Sequence, residues 1–250
     1  MSMIKRAVCR VMLCMALAGA GLQAGNLVVG DPPLRGTGNC DPFGCPAFFG
    51  LATYQQVYSS ADFPGDISID GLSFFETQVL SNGGVPAGGT YTLFFSYTSL
   101  DPGDLNLTNP NLNVGSGNQG FFTGTLPALT PETGGYELII MGTPFVYNPA
   151  DGNLLLTVTL SGVTEPGPAL YLNEAACGPK TFCPPGSSVA SSNAYFGFQN
   201  GEPVNGGNDI GGLVTGFDYG AVTTPEPGSL FLVLAGIGLI GYRKRRPQDR

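Results

Sequence analysis

Apolar residues recur at every second position through much of the chain, and this spacing predicts strands. Tyr91, Leu93, Phe95 and Tyr97 share one face, with Thr92, Ser96 and Thr98 on the other. A period of two is that of a half-buried strand. Leu154, Leu156, Val158 and Leu160 alternate in the same way with Thr157, Thr159 and Ser161. A further apolar run over residues 136–146 ends at Tyr147-Asn148-Pro149, and the turn Asp151-Gly152 then predicts a hairpin with the strand that begins at Leu154. Residues 48–58 and 66–78 read as the first strands, parted by the turn Phe63-Pro64-Gly65; Ile67 and Ile69 alternate with Ser68 and Asp70. Asn82-Gly83-Gly84 and Gly88-Gly89 bracket a loop. Weaker candidates lie at 120–126, 169–173, 194–199 and 214–219. Helical periodicity is missing from the body, residues 25–222. Many short strands between turn signals predict an all-β fold, an antiparallel β-sandwich of jelly-roll-like type.

The two ends break this pattern. Residues 1–10 carry Lys5, Arg6 and Arg10, and residues 11–22 are apolar and rich in alanine and glycine. A charged start, a short apolar run and a small-residue exit are the parts of a secretory signal peptide. Residues 1–24 are therefore expected to be removed, with cleavage after Ala24 (or Ala20) and loss of Cys9 and Cys14. At the other end, Pro225-Glu226-Pro227 precedes the uncharged stretch Leu230-Phe231-Leu232-Val233-Leu234-Ala235-Gly236-Ile237-Gly238-Leu239-Ile240, and Arg243-Lys244-Arg245-Arg246 follows it. The prolines fix φ and hold the backbone extended ahead of the stretch. A basic cluster behind an apolar span stays on the cytoplasmic side. The 15 residues of 228–242 reach about 22 Å as a helix at 1.5 Å per residue. A bilayer core is nearer 30 Å, so the span predicts a single short transmembrane helix that anchors weakly.

This three-part tail, residues 223–250, resembles the PEP-CTERM sorting signal of bacterial exported proteins. The resemblance implies passage through the Sec translocon, transient anchoring in the inner membrane, and processing by the membrane enzyme exosortase near Pro225-Glu226-Pro227. It also implies delivery to the surface or surroundings of a bacterium that makes extracellular polysaccharide, as an exported biofilm or matrix protein. Within the body, Thr53-Tyr54-Gln55-Gln56-Val57-Tyr58 leading to Ile67-Ser68-Ile69, and Pro144-Phe145-Val146-Tyr147-Asn148-Pro149 leading to Gly152-Asn153-Leu154-Leu155-Leu156, resemble the domain found on many such proteins. That second resemblance covers about residues 48–162 and implies no activity.

Charge narrows the partners. Between Gly25 and Glu226 only Arg35 and Lys180 are basic, against 17 acidic residues, for a net charge of −15. Nucleic-acid phosphates need clustered lysine and arginine, so nucleic acid is excluded as a partner. Four cysteines remain after the signal, in two close pairs, Cys40 with Cys45 and Cys177 with Cys183. Export permits disulfides, and of the three connectivities the one made of the two local bonds is favoured. Zinc is disfavoured by the spacings and by the lack of any histidine.

Candidate chemistry is sparse. Without histidine the usual Ser-His and Cys-His pairs cannot form, and no catalytic residue is assigned. Gly115-Ser116-Gly117-Asn118-Gln119-Gly120 matches G-x-G-x-x-G, but the strand-like Phe121-Phe122-Thr123 follows where a dinucleotide site needs a helix. The carboxylate pairs Asp66 with Asp70, Asp101 with Asp104, and Glu132 with Glu137 are the candidates for glycoside hydrolysis. No cofactor is expected; calcium is the alternative, at Asp101, Asp104 and Asn106 or at Asn205, Asn208 and Asp209, with turn capping as the ordinary role of such residues. Tyr54, Tyr58, Tyr147, Tyr171, Tyr195 and Tyr219 are candidates to stack on an extracellular polysaccharide, against the ordinary role of strand tyrosines as core. The expectation is a non-enzymatic exported protein, with a lectin-like module or a glycoside hydrolase as the rivals.

Overall fold

The alternating segments become thirteen strands, in a computed structural model that describes residues 24–30, 38–48, 50–77, 84–132, 135–165, 167–175, 191–199, 202–207 and 211–222. These are β1 Gly25–Val29, β2 Gly38–Asn39, β3 Leu51–Tyr58, β4 Ile67–Phe75, β5 Gly88–Thr98, β6 Gln119–Gly124, β7 Thr130–Glu132, β8 Gly135–Tyr147, β9 Asn153–Thr164, β10 Leu172–Asn173, β11 Ser191–Gln199, β12 Glu202–Gly207 and β13 Thr215–Ala221. They build a five-stranded sheet in the order β1-β13-β4-β8-β7, a six-stranded sheet in the order β12-β11-β3-β9-β5-β6, and a two-stranded ribbon, β10-β2. The fold is all-β with antiparallel sheets, as the alternation predicts. The outer strands β7 and β12 carry Pro131 and Pro203. Among the described residues the only helical pieces are three single 3-10 turns, and no helix is long and apolar enough to cross a membrane. The predicted signal peptide and transmembrane span lie outside the described residues.

One core fills the space between the two large sheets. Ile69, Leu72 and Phe74 of β4, Leu138, Ile140 and Phe145 of β8, and Phe217 of β13 meet Tyr54 and Tyr58 of β3, Tyr91, Leu93 and Phe95 of β5, and Leu156 and Val158 of β9. Aromatic rings bridge the layers, with centroids 5.0 Å apart for Tyr58 and Phe217 and 5.3 Å apart for Phe95 and Phe145. Such tilted and edge-on pairs add to the gain from area buried.

Two expectations from the pattern need correction. The runs on either side of Asp151-Gly152 do not form a hairpin: β8 pairs with β4 and β7, while β9 pairs with β3 and β5, in the other sheet. The connection is a 3-10 turn, Pro149–Asp151, whose N-cap Asn148 accepts from the Ala150 N–H at 2.9 Å. It carries the chain across the sandwich, so Tyr147 and Leu154 enter the same core from opposite layers. The polar face of β5 is also not left to solvent, since Ser96 and Thr98 are buried. The connection between β5 and β6 folds back over it. Leu105 joins Val57, Leu155, Ala194 and Phe196 in a second, outer cluster, with Leu100, Leu107 and Val114 packed against it.

That connection is fixed by side-chain amides. Asn113 donates to Gln55 Oε1 at 2.8 Å and to the Asn106 carbonyl at 3.0 Å, and Gln55 donates to the Pro110 carbonyl at 3.1 Å. Each amide supplies the partner that a loop buried on a sheet needs.

Candidate functional site

The ribbon of β2 and β10 closes one end of the sandwich, and a disulfide loop leads out of it. Cys40 and Cys45 are bonded, with Cα atoms 5.2 Å apart, as the local pairing predicts. The loop turns tightly because Gly44 N–H donates to the Cys40 carbonyl at 2.6 Å and Cys45 N–H to the same oxygen at 3.1 Å. Asp41-Pro42 is a cis peptide bond. Phe43 projects into the core, its ring 4.8 Å from Phe74 and 5.9 Å from Tyr91, and its carbonyl accepts from Ala87 N–H at 2.7 Å. Gly44 lies so close to the next segment that a Cβ would overlap the Leu170 carbonyl.

Residues 167–175 tie this end together. Tyr171 accepts at its carbonyl from Thr77 N–H at 2.9 Å, Asn173 from Val214 N–H at 2.9 Å, and Ala175 N–H donates to Gly212 at 2.8 Å. Beneath lies a buried polar network between the sheets. Gln56 Oε1 accepts from Tyr54 Oη at 2.6 Å and from Leu213 N–H at 2.8 Å, and Gln56 Nε2 donates to the Leu213 carbonyl at 2.8 Å. The amide thus pairs Leu213 as a neighbouring strand would, over Gly212, where a Cβ would collide with it. Tyr58 Oη and Thr215 Oγ1 extend the network, 2.9 Å apart.

Two carboxyls are drawn into this end. Asp41 is 6% exposed; burial, and next the charge of Glu165, push its pKa up to about 7. Burial alone pushes Glu174 up to about 7, and its Oε1 has no hydrogen-bond partner. Taking a charge out of water without a partner favours the neutral acid. Glu165 itself accepts from Phe48 N–H at 3.0 Å. The sequence pattern gives no hint of Glu174. Asp41 carried one signal that could have found it, its place between Cys40 and Pro42 inside a short disulfide loop.

The other predicted residues divide as follows. Cys177 and Cys183, the motif Pro225, Glu226 and Pro227, the apolar span, the basic cluster, and Asn208 and Asp209 lie outside the described residues. Tyr54, Tyr58 and Tyr147 are buried in the core, which removes them as stacking rings for a polysaccharide. Tyr171, Tyr195 and Tyr219 are partly exposed. In the first calcium loop, Asn106 Oδ1 accepts from Thr108 N–H, Thr108 Oγ1 and Asn109 N–H at 2.8 to 2.9 Å, and Asp101 Oδ1 accepts from Asn153 Nδ2 at 2.9 Å. Asn106 there acts as a turn cap. Asn205 is exposed on β12. Asp70 accepts from Ser68 Oγ at 3.1 Å. The residues after Gly115 and Gly117 enter strand β6, so that glycine motif has no helix to receive a pyrophosphate.

What the geometry defines is a disulfide-closed β-sandwich body. A family model described as the PEP-CTERM protein-sorting motif matches residues 223–246, so the chain carries that motif immediately behind the body. The motif implies export, membrane-associated sorting, and exosortase as the processing partner. Comparison with curated proteins and with solved structures gave no match for this chain.

Proposed function

We propose that this protein is an exosortase substrate that acts, once sorted, as a non-enzymatic module of the cell surface or extracellular matrix. The observation that carries the reading is the sorting motif over residues 223–246. The signal peptide would bring the chain through the Sec translocon. The short apolar span would then hold it in the inner membrane while exosortase acts near Pro225-Glu226-Pro227. A disulfide-closed, acidic body is suited to an oxidising exterior. The catalytic groups of the sorting step belong to the exosortase, and the chain contributes its motif.

Replacing Pro225-Glu226-Pro227 by three alanines is expected to leave the chain in the membrane fraction with its tail attached. Mass spectrometry of the wild-type mature C-terminus should find the tail removed. Surface delivery of the triple variant at the wild-type level would overturn the proposal.

A further inference from the structure

We propose that Cys40–Cys45 is a thiol–disulfide exchange site, opening and closing within the folded body, with Asp41 as the group that carries the proton. The first observation is a contact between a buried carboxyl and a sulfur of the disulfide. Asp41 Oδ1 lies 3.7 Å from Cys45 Sγ, and Asp41 is more than nine-tenths buried. A sulfur held in a disulfide has no proton to donate, and the Asp41 backbone N–H is turned away to Asn39 Oδ1 at 2.9 Å. Reduction would place an S–H on Cys45 at the buried carboxyl. The carboxyl is thus sited for the dithiol form of the loop.

The second observation is that contacts other than its sulfur–sulfur bond also hold the loop. The Cys40 carbonyl holds two N–H groups, Phe43 is locked among Phe74 and Tyr91, and Gly44 is seated against Leu170. Opening the bond leaves both thiols where they can close again. Cys40 and Cys45 keep 8% and 6% of their surface exposed, next to the exposed Ala47 and Phe48.

The exchange balances with an external dithiol as reductant. One thiolate of that dithiol attacks Cys40 Sγ, the electron pair of the broken bond goes to Cys45 Sγ, and the Asp41 carboxylic acid gives that sulfur its proton. The dithiol's second thiol then displaces Cys40 from the mixed disulfide and leaves its proton on Cys40. The dithiol ends as a disulfide, the loop as two thiols, and Asp41 as a carboxylate. Closure reverses each step. The charged and titratable groups facing Asp41 are Glu165 and, at the same end, Tyr54 and Glu174. The raised affinity of Asp41 for its proton keeps the acid form available near neutral pH.

The test is the rate at which dithiothreitol reduces the loop in the full-length exported chain, read by alkylation of Cys40 and Cys45 and peptide mass spectrometry. Rates are divided by the thiolate concentration at each pH. In the wild type, the rate per thiolate should fall about tenfold between pH 6 and pH 8, as an acid titrating near 7 loses its proton. Asp41→Asn should give a flat profile with an unchanged strand circular-dichroism spectrum. Glu165→Gln keeps an acceptor for Phe48 N–H and should move the midpoint to lower pH. A flat wild-type profile would overturn the proposal, as would a midpoint unmoved by Glu165→Gln. A rate independent of dithiothreitol would do the same, because it would mean that the loop opens only when the body unfolds.

Discussion

Replacing Gln56 by methionine tests whether the two sheets are joined by polar as well as apolar contacts. Methionine keeps the length and volume of the side chain and removes the amide. Leu213 N–H and Tyr54 Oη–H then lose the acceptor they share, while the Leu213 carbonyl keeps the Thr215 hydroxyl at 2.9 Å. A buried donor left without a partner costs about 1–3 kcal/mol. Two such donors, offset by about 1 kcal/mol for the less polar side chain, give a net loss of roughly 3 kcal/mol. For a body of this size that is a fall in Tm of about 6–12 °C. Tyr54→Phe removes one of the two stranded donors, so the double variant should be more stable than the sum of the single losses, by about 1–2 kcal/mol. Urea and thermal unfolding of the four proteins measure both quantities. A Gln56→Met variant within 0.5 kcal/mol of wild type, or strict additivity in the double variant, would refute the reasoning.

Stability should also depend on pH with a particular sign. Asp41 and Glu174 hold their protons to about pH 7 in the folded chain, against ordinary values of 3.8 and 4.5. Between those limits the folded state binds more protons than the unfolded, so stability falls as pH rises from about 4 to about 7 and then levels. Asp41→Asn should remove on the order of 2–4 kcal/mol of that fall, and urea midpoints of both proteins at pH 5 and pH 8 check it; equal slopes would contradict it. Gly44→Ala forces a Cβ onto the Leu170 carbonyl, which should cost about 1–3 kcal/mol as overpacking does. A Gly44→Ala melting temperature equal to wild type would show that the loop can move away from residues 167–175.

The alternation of β5 and β9 was legible because each strand has one face on the main core, and a strand so placed writes its period into the sequence. Which sheet each strand joins was not legible. The apolar sides of β8 and β9 look inward from opposite layers, and alternation is the same for a hairpin and for a crossing between sheets. The five residues Asn148 to Gly152 were the clue, since a two-residue turn is the usual hairpin link and a capped 3-10 turn is not. The Cys40–Cys45 pairing was readable from close spacing together with the expected export. Glu174 was not, and Asp41 showed only through its place between Cys40 and Pro42, because only the tertiary fold decides which acids it closes over. The tyrosines show the converse. Tyr54 looked usable as a surface ring until Gln56 was seen to occupy its hydroxyl inside the core.

The outer strands of the two large sheets have a consequence for contacts between copies of this body. An unpaired strand edge is a template on which another copy can add its own strand. Here β7 is three residues long and holds Pro131, and β12 holds Pro203, each proline withdrawing a donor that a neighbouring ladder would need. On the far side of the six-stranded sheet, β6 pairs with β5 through a register shift between Leu93 and Phe94, a local irregularity that twists an edge away from continuation. Among the described residues, three of the four borders therefore carry features that discourage the strand of another copy from adding to them.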